Sequence, residues 1–206
     1  MEDIEKEPKE RIIDLAEERF LFSGFNKVTL DELSGELGIS KKTMYKFFPS
    51  KNILVKTVVQ MLMKSFEKQV TAITISEKPV IQKLAELMLF VGKMTGRFSR
   101  AFQSDIQRFT PVLWKEVDKF RTEMISSRVA LIIDEARRQG KFRTDVHRDI
   151  VFLMFINSIQ TIVNPEVLSK NSFSPKEAMY TIFHVIFEGA LTDEARKEFL
   201  KYEISI

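Results

Sequence analysis

Lysine side chains stand at the start of two successive predicted helices near the N-terminus. Ser40-Lys41-Lys42 opens the first of these helices, and Ser50-Lys51 opens the second. A helix N-terminus carries a partial positive charge, so cationic side chains are locally unfavourable there. An external anion would relieve this repulsion, and the phosphates of a nucleic-acid duplex are anions of the right kind. The pattern therefore favours a DNA interface at these two helix ends.

The distribution of charge around these lysines supports the same hypothesis. The formal net charge of +3 over 206 residues is weak evidence by itself. A cluster of lysines can also be an ordinary solvated face, but with the turn described next the DNA interpretation is favoured. No acidic residue occurs from Leu37 to Phe66, whereas lysines stand there at positions 41, 42, 46, 51, 56 and 64.

A tight turn between two short helices would hold these lysines in place. Thr29 and Glu32 form a T-x-x-E capping box at the start of the first helix. Gly38 provides the residue that accepts a positive φ in the turn, and Ser40 caps the second helix. Ser34 provides the small side chain that lets the two helices approach closely. The predicted buried seam is formed by Leu33, Leu37, Ile39 and Met44.

The side chains left on the outer face are the candidates for DNA contact. A recognition helix presents its N-terminal residues to base edges in the major groove, so residues 41–43 are the candidates for base contact. Thr29, Tyr45 and Lys51 are better placed for phosphates, and such contacts fix the register without reading sequence. The predicted DNA-binding set is Thr29, Ser40, Lys41, Lys42, Thr43, Tyr45, Lys46 and Lys51.

The stretch TLDELSGELGISKKTMYKFFPSKNIL closely resembles the N-terminal domain of TetR-family transcriptional regulators. The resemblance implies a DNA-binding domain at residues 1–50 and a helical ligand-binding and dimerisation domain at residues 51–206. Lys42 stands where the family often has Gly or Ala, so it should alter which bases are read. The residues that carry the resemblance are Gly38, Thr43, Tyr45, Phe48, Ser50, Lys51 and Leu54.

Composition and periodicity predict an all-α protein, with a three-helix helix-turn-helix domain followed by a larger helical body. Apolar residues recur at helical spacing from Pro8 to Gly24, and a loop is expected around Asn164-Pro165 and Ser172. The absence of cysteine excludes disulfides and thiolate metal sites. After the turn, helices are predicted at about 41–48, 51–76, 80–96, 99–109, 112–139, 147–163, 175–190 and 192–202.

One predicted helix in the body is apolar on nearly every side. Residues 150–165 contain no charged side chain, and such a helix has to be buried nearly all round. One side can face the core of the same chain and the other a partner subunit; the alternative is a central core helix of a monomer. The family resemblance implies a four-helix homodimer interface, for which the candidates are Leu153, Ile156, Asn157, Gln160, Met179, Phe183, Ile186 and Phe187.

Residues 84–124 are rich in phenylalanine and methionine, which form adaptable walls for lipophilic compounds. For any single residue, ordinary core packing is the alternative explanation. The family resemblance implies a cavity in this region. The candidates for its lining are Met88, Phe98, Phe102, Phe109, Trp114 and Met124.

No constellation of residues in the sequence suggests catalysis. The two histidines, His147 and His184, lie in different predicted helices. There is no phosphate-cradling glycine motif and no nucleophile with a base and an orienting group. We therefore expect no enzyme activity, no cofactor and no metal. The charged N-terminus lacks a signal peptide, and no apolar run approaches the length of a bilayer, so a cytoplasmic protein without membrane contact is expected.

These observations together predict a homodimeric, ligand-responsive transcriptional regulator. The predicted form is a repressor that leaves a palindromic operator when a small lipophilic molecule binds. Its expected partners are double-stranded DNA, that ligand and a second copy of the chain. The alternative is a helical small-molecule carrier with a vestigial helix-turn-helix, which would bind lipophilic compounds but not duplex DNA.

Overall fold

The structure of the chain, a computed structural model, describes residues 7–204 without the side chains of Ile125, Glu203 and Ile204. Over these residues the chain forms twelve α-helices and no β-strand, which confirms the prediction of an all-α fold. The helices are α1 Pro8–Ser23, α2 Leu30–Glu36, α3 Lys41–Phe47, α4 Lys51–Thr74, α5 Val80–Gly96, α6 Arg100–Phe109, α7 Pro111–Met124, α8 Ala130–Arg138, α9 Arg148–Ile162, α10 Pro165–Lys170, α11 Pro175–Phe183 and α12 Asp193–Ile204.

The first of two compact units contains the described residues up to Ser65 together with Arg97–Glu116. In α1, apolar side chains recur every four residues, so one face of the helix is buried and packs against α2 and α6. The side chains at the centre of this unit are Ile12, Ala16, Phe20, Leu33, Met44, Phe48 and Leu54.

Helix α6 belongs to this first unit although it is distant from α1 in sequence. The backbone N–H of Ser99 donates to the carbonyl of Leu21 at 3.1 Å, just before α6 begins. Phe102 on α6 packs edge-to-face on Phe25, with ring centroids 6.4 Å apart. Both rings are buried, so this contact is part of the unit's core.

The second unit contains Phe66–Gly96 and the described residues from Val117 onwards. Helix α5 packs against α8, α11 and α12, and its buried face supplies much of the core. Phe155 of α9 lies edge-to-face against Phe183 and Phe187, with centroids 4.9 and 5.1 Å away. This aromatic cluster joins α9 to α11 and the turn that follows it.

Three predicted segments differ from the structure. The helix predicted over 175–190 consists of α11 followed by a π-helical turn, His184–Glu188. The helix predicted over 112–139 consists of α7 and α8 joined by a π-helical turn, Ile125–Val129. The loop predicted after α9 contains the short helix α10. The side chain of Asn164 accepts a hydrogen bond from the N–H of Val167 at 3.0 Å, and Pro165 takes the first helical position. The Asn-Pro pair is thus a helix start and not only a turn signal.

The functional division at residue 50 stays a prediction. The compact units follow packing, and the boundary between them within α4 falls after Ser65. Helix α6 is also grouped with the N-terminal helices, because its apolar face contributes to their core.

A buried ion pair in the second unit gives a first test of the packing. Lys83 on α5 is 6% exposed, and its Nζ donates to both carboxylate oxygens of Glu135 on α8 at 3.1 and 3.0 Å. We expect Lys83→Ala to lower the free energy of unfolding by about 2–3 kcal/mol, because Glu135 would lose its buried partner. The double variant Lys83→Met with Glu135→Leu should recover most of that loss. Chemical denaturation measures both, and a double variant no more stable than Lys83→Ala would contradict the explanation.

Candidate nucleic-acid interface

The predicted capping box forms at the start of α2. The N–H of Glu32 donates to Oγ1 of Thr29 at 3.1 Å, and the N–H of Thr29 donates to Oε2 of Glu32 at 2.8 Å. The backbone hydrogen bond from Thr29 is the main reason why the pKa of the Glu32 carboxyl lies below its ordinary value. The reciprocal bonds fix the direction in which the chain enters the helix-turn-helix.

The turn between α2 and α3 depends on a glycine and a small buried side chain. Gly38 has φ +65°, a conformation that residues with a Cβ rarely adopt. The N–H of Ile39 donates to the carbonyl of Ser34 at 3.0 Å, and Ser34 is buried at the point where the helices meet. Ser40 then caps α3, because its Oγ accepts from the N–H of Thr43 at 3.0 Å.

The lysines at the two helix starts have partners within the chain. Nζ of Lys41 donates to Oδ2 of Asp31 on α2 at 2.6 Å, and this bond raises the pKa of Lys41. Nζ of Lys51 donates to the backbone carbonyl of Asn26 at 3.0 Å. The sequence predicted an external anion at both helix ends, whereas at α3 the carboxylate of Asp31 already offsets part of the charge.

Lys42 and Lys46 differ from these two lysines. Both side chains are exposed, and neither is paired with an acidic side chain in the described part of the chain. Tyr45, between them on α3, is 47% exposed. Of the eight predicted DNA-binding residues none is buried. The hydroxyls of Thr29 and Ser40 cap α2 and α3, and the hydroxyl of Thr43 lies 2.9 Å from Ser40 Oγ.

The residues predicted to line a ligand cavity do not form one group. Phe102 packs between Phe25 and Phe98 in the first unit, with its ring centroid 5.7 Å from that of Phe98. Phe109 and Trp114 also belong to the first unit, and Phe109 is exposed. Met88 and Met124 are buried in the core of the second unit. The run of Phe and Met residues thus supplies two different cores, which composition alone does not reveal.

The residues predicted for a dimer interface divide between surface and core. Met179, Phe183 and Phe187 are buried in their own subunit, against or near Phe155. The prediction placed the apolar side of α11 at the partner subunit, whereas in the structure that side packs into the core of the same chain. Ile156 and Ile186 are also nearly buried. The side-chain amide of Gln160 donates to Oγ1 of Thr122 at 2.9 Å. Leu153 and Asn157 are exposed.

Several apolar side chains of α9, of α11 and of the turn after α11 reach the surface, and Leu153 is one of the residues predicted for the interface. Leu153 of α9 is 55% exposed, and Val185, in the π-helical turn His184–Glu188 after α11, is 71% exposed. Exposed apolar patches on a protein surface commonly mark interaction sites. The other members of this exposed apolar face are Ile150, Met154 and Tyr180.

The two histidines have structural surroundings. Nδ1 of His147 accepts from the N–H of Asp149 at 3.3 Å and caps α9. His184 contacts the carboxylate of Glu188 and stacks near Tyr180, whose ring centroid is 4.1 Å away. The spacing of four residues between His184 and Glu188 is a signal that the sequence analysis missed.

Residues 7–204 hold neither a cluster of metal-binding side chains nor a membrane-spanning helix. Among these residues, no group of three His, Cys, Asp or Glu side chains is arranged to hold a metal ion. No helix of the described chain is both long enough and apolar enough to cross a bilayer.

The N-terminal segment matches a known protein family. A family model described as "Bacterial regulatory proteins, tetR family" matches residues 12–58, from α1 into α4. The chain matches the TetR family over this N-terminal segment. Its α2–turn–α3 segment is therefore the helix-turn-helix of a DNA-binding transcriptional regulator.

Similar proteins extend the likeness beyond the helix-turn-helix. The HTH-type transcriptional regulator YvaF of Bacillus subtilis (strain 168) is 26% identical over 167 residues, which cover 81% of this chain and 87% of YvaF. A transcriptional regulator from Cytophaga hutchinsonii ATCC 33406 has a TM-score of 0.69 at 20% identity, covering 89% of this chain and 98% of that one. One from Saccharomonospora viridis, in complex with choline, has a TM-score of 0.68 at 17% identity, covering 89% and 97%. The two structures show a shared fold.

The Glu32 carboxylate links the stability of this TetR-type domain to pH. A group whose pKa is lower in the folded state contributes stability above its unfolded pKa of about 4.3, and the contribution is lost as pH falls through the folded pKa. Glu32→Gln can keep both hydrogen bonds of the capping box but does not titrate. We therefore expect its melting temperature to fall less than that of the wild type when the pH is lowered from about 5 to about 3.

Thermal unfolding followed by circular dichroism over this pH range makes the comparison. Glu67→Gln, which changes an exposed glutamate of α4, is the matched control and should follow wild type. An equal fall in melting temperature for Glu32→Gln and the wild type would contradict the proposed contribution of the Glu32 carboxylate.

Proposed function

We propose that the chain is a homodimeric, ligand-responsive repressor that leaves a palindromic operator when a small lipophilic molecule binds. The observation that carries the proposal is the cationic outer face of α3 and the start of α4. Lys42 and Lys46 are exposed there without acidic partners among the described residues, and Lys51 stands at the first position of α4. A TetR-type helix-turn-helix with this face is suited to a polyanionic duplex.

Lys42 is the strongest candidate for base reading. It lies in the first turn of α3, where a recognition helix meets base edges, and a lysine can donate to O6 and N7 of guanine. Lys41 has to leave Asp31 before it can do the same, because that carboxylate holds its ammonium group at 2.6 Å. We assign Lys46, Lys51 and Tyr45 to phosphate contacts, which fix the position of the domain on the duplex.

A twofold dimer would present two such helices to successive half-sites. We propose that the exposed apolar face of α9 and α11 meets its copy in a four-helix interface. Ile150, Leu153 and Asn157 recur at spacings of three and four, so they share one side of α9. The buried rings of Phe183 and Phe187 would support this interface from inside the subunit and would not form it.

The ligand is proposed to bind in the helical body, where Met88 and Met124 are adaptable side chains within the core of the second unit. The choline complex of the Saccharomonospora viridis relative supports a small-molecule site in this fold. A ligand changes operator binding only through its different affinity for the two arrangements of the DNA-binding domains. A preference of about 100-fold between them corresponds to about 2.7 kcal/mol.

The family also supports two simpler parts of the proposal. The matched relatives are regulators of transcription, so we propose that the chain has no catalytic activity of its own. A bacterial regulator meets its operators on the chromosome, so we propose that it acts in the cytoplasm.

Selection of bound duplexes from a randomised pool, read by gel shift and sequencing, tests the function directly. We expect enrichment of an inverted repeat whose half-sites are about one helical turn apart, centre to centre. Retention of lipophilic probes without enrichment of any duplex would favour the small-molecule carrier.

The proposed roles of Lys42 and Lys51 predict opposite kinds of loss. Lys42→Ala should change the bases preferred at one or two operator positions, at a cost of about 1–3 kcal/mol for the original sequence. Lys51→Ala should weaken operator and unrelated duplexes alike, because a phosphate contact carries no sequence information. Titration of both variants against a panel of single-base operator substitutions measures this.

Lys64→Ala is the control, because it removes an exposed lysine of α4 far along the helix from its N-terminus. An unchanged base preference for Lys42→Ala, or a sequence-selective loss for Lys51→Ala, would contradict the assigned roles.

The proposed dimer predicts that a charge within the exposed apolar face separates the subunits. We expect Leu153→Glu and Val185→Glu to shift the protein from dimer to monomer at micromolar concentration, because each carboxylate would be desolvated in the interface. Sedimentation velocity measures the state. Leu131→Glu, at a 50% exposed leucine of α8, is the control and should remain dimeric. Dimers of unchanged stability for both interface variants would place the interface elsewhere.

A further inference from the structure

The loop between α1 and α2 is held from two sides at a single residue. The backbone N–H of Asn26 donates to Oδ2 of Asp105 on α6 at 2.7 Å. The backbone carbonyl of Asn26 accepts from Nζ of Lys51, the first residue of α4, at 3.0 Å. Asp105 and Lys51 are therefore connected through one residue of the loop, and all three belong to the first compact unit.

The close approach of α6 to this loop is built into the chain. Gly24 has φ +80°, and a Cβ at this position would lie 2.6 Å from Oδ2 of Asp105 and 3.1 Å from Cβ of Ala101. A larger residue would therefore force α6 away from the loop. Arg97 and Glu17 form an ion pair at 2.6 Å beside the same contact, which adds a second connection between α1 and the residues before α6.

Lys51 can keep this bond and still contact a phosphate. An ammonium group has three N–H donors, and the Asn26 carbonyl uses one of them. The carbonyl fixes where the ammonium lies relative to the start of α4, which reduces the freedom that the side chain would lose on binding.

We propose that Asp105 is a positioning residue for DNA binding. It holds the Asn26 segment so that the carbonyl keeps the Lys51 ammonium at the N-terminal end of α4. The inference rests on the proposed function, because it concerns the phosphate contact assigned to Lys51. Asp105 itself need not approach the duplex.

The sign of the effect separates this role from simple electrostatics. An aspartate in a domain that binds a polyanion opposes binding through its charge, so its removal should strengthen binding. The positioning role requires the reverse. We expect Asp105→Ala to weaken binding of any duplex about fivefold, the scale of one hydrogen bond. Asp105→Asn keeps a carbonyl oxygen as acceptor and should stay within about twofold of wild type.

A double-mutant cycle with Lys51→Ala tests whether the effect passes through Lys51. In the Lys51→Ala background, Asp105→Ala should change affinity by less than about twofold, because the group that it positions is absent. A role in stability alone would give the same loss in both backgrounds. Glu18→Gln removes an exposed carboxylate from α1 and is the charge control; its affinity should equal or exceed that of wild type.

Fluorescence anisotropy with the full chain and a labelled duplex provides all these affinities, and circular dichroism reports folding. Should Asp105→Ala fail to fold, Asp105→Ser replaces it, because its shorter hydroxyl does not span the gap to Asn26. Affinity that is unchanged or raised in the folded variant, with Lys51→Ala still weakened, overturns this inference alone. Wild-type protein that binds no duplex overturns the proposed function and this inference together.

Discussion

Positive charge at the N-terminal ends of α3 and α4 is the constraint on which the account of this domain depends. Each helix end already favours anions, and the chain places lysines there. Two of these lysines have partners within the fold, a carboxylate for Lys41 and a backbone carbonyl for Lys51. These internal bonds hold cationic groups in place before any duplex arrives. The pattern indicates a preorganised surface for phosphate, in which part of the conformational entropy is already lost on folding.

The scaffold behind this surface consists of short contacts that permit little substitution. The capping box of Thr29 and Glu32 starts α2, and the positive φ of Gly38 turns the chain into α3. Gly24 allows α6 to reach the loop that carries Asn26. Buried apolar side chains of α1, α2, α3, α4 and α6 supply the apolar contribution to the stability of this unit, and the polar contacts mainly set its geometry.

Features encoded by local chemistry could be predicted from the sequence, whereas features decided by side-chain direction could not. The capping box, the glycine turn and the small residue Ser34 each follow from a physical requirement at one position, and the structure has all three. The pairing of Lys41 with Asp31 joins two helices, and no periodicity reveals it. The apolar side of α11 was predicted to meet a partner subunit, but it faces the core of its own chain, so the ring of Phe183 lies in that core. The contact of Asp105 with Asn26 spans 79 positions and belongs to tertiary structure alone.

The dependence of duplex affinity on salt tests the central claim most directly. If ammonium groups at the two helix ends neutralise phosphates, log K for the wild-type protein should fall linearly with log salt concentration, by about 0.9 per phosphate neutralised. For a dimer using at least two lysines in each subunit, we expect a slope of about −3.6 or steeper. A slope near zero, or no binding to any duplex at about 50 mM salt, would contradict the account.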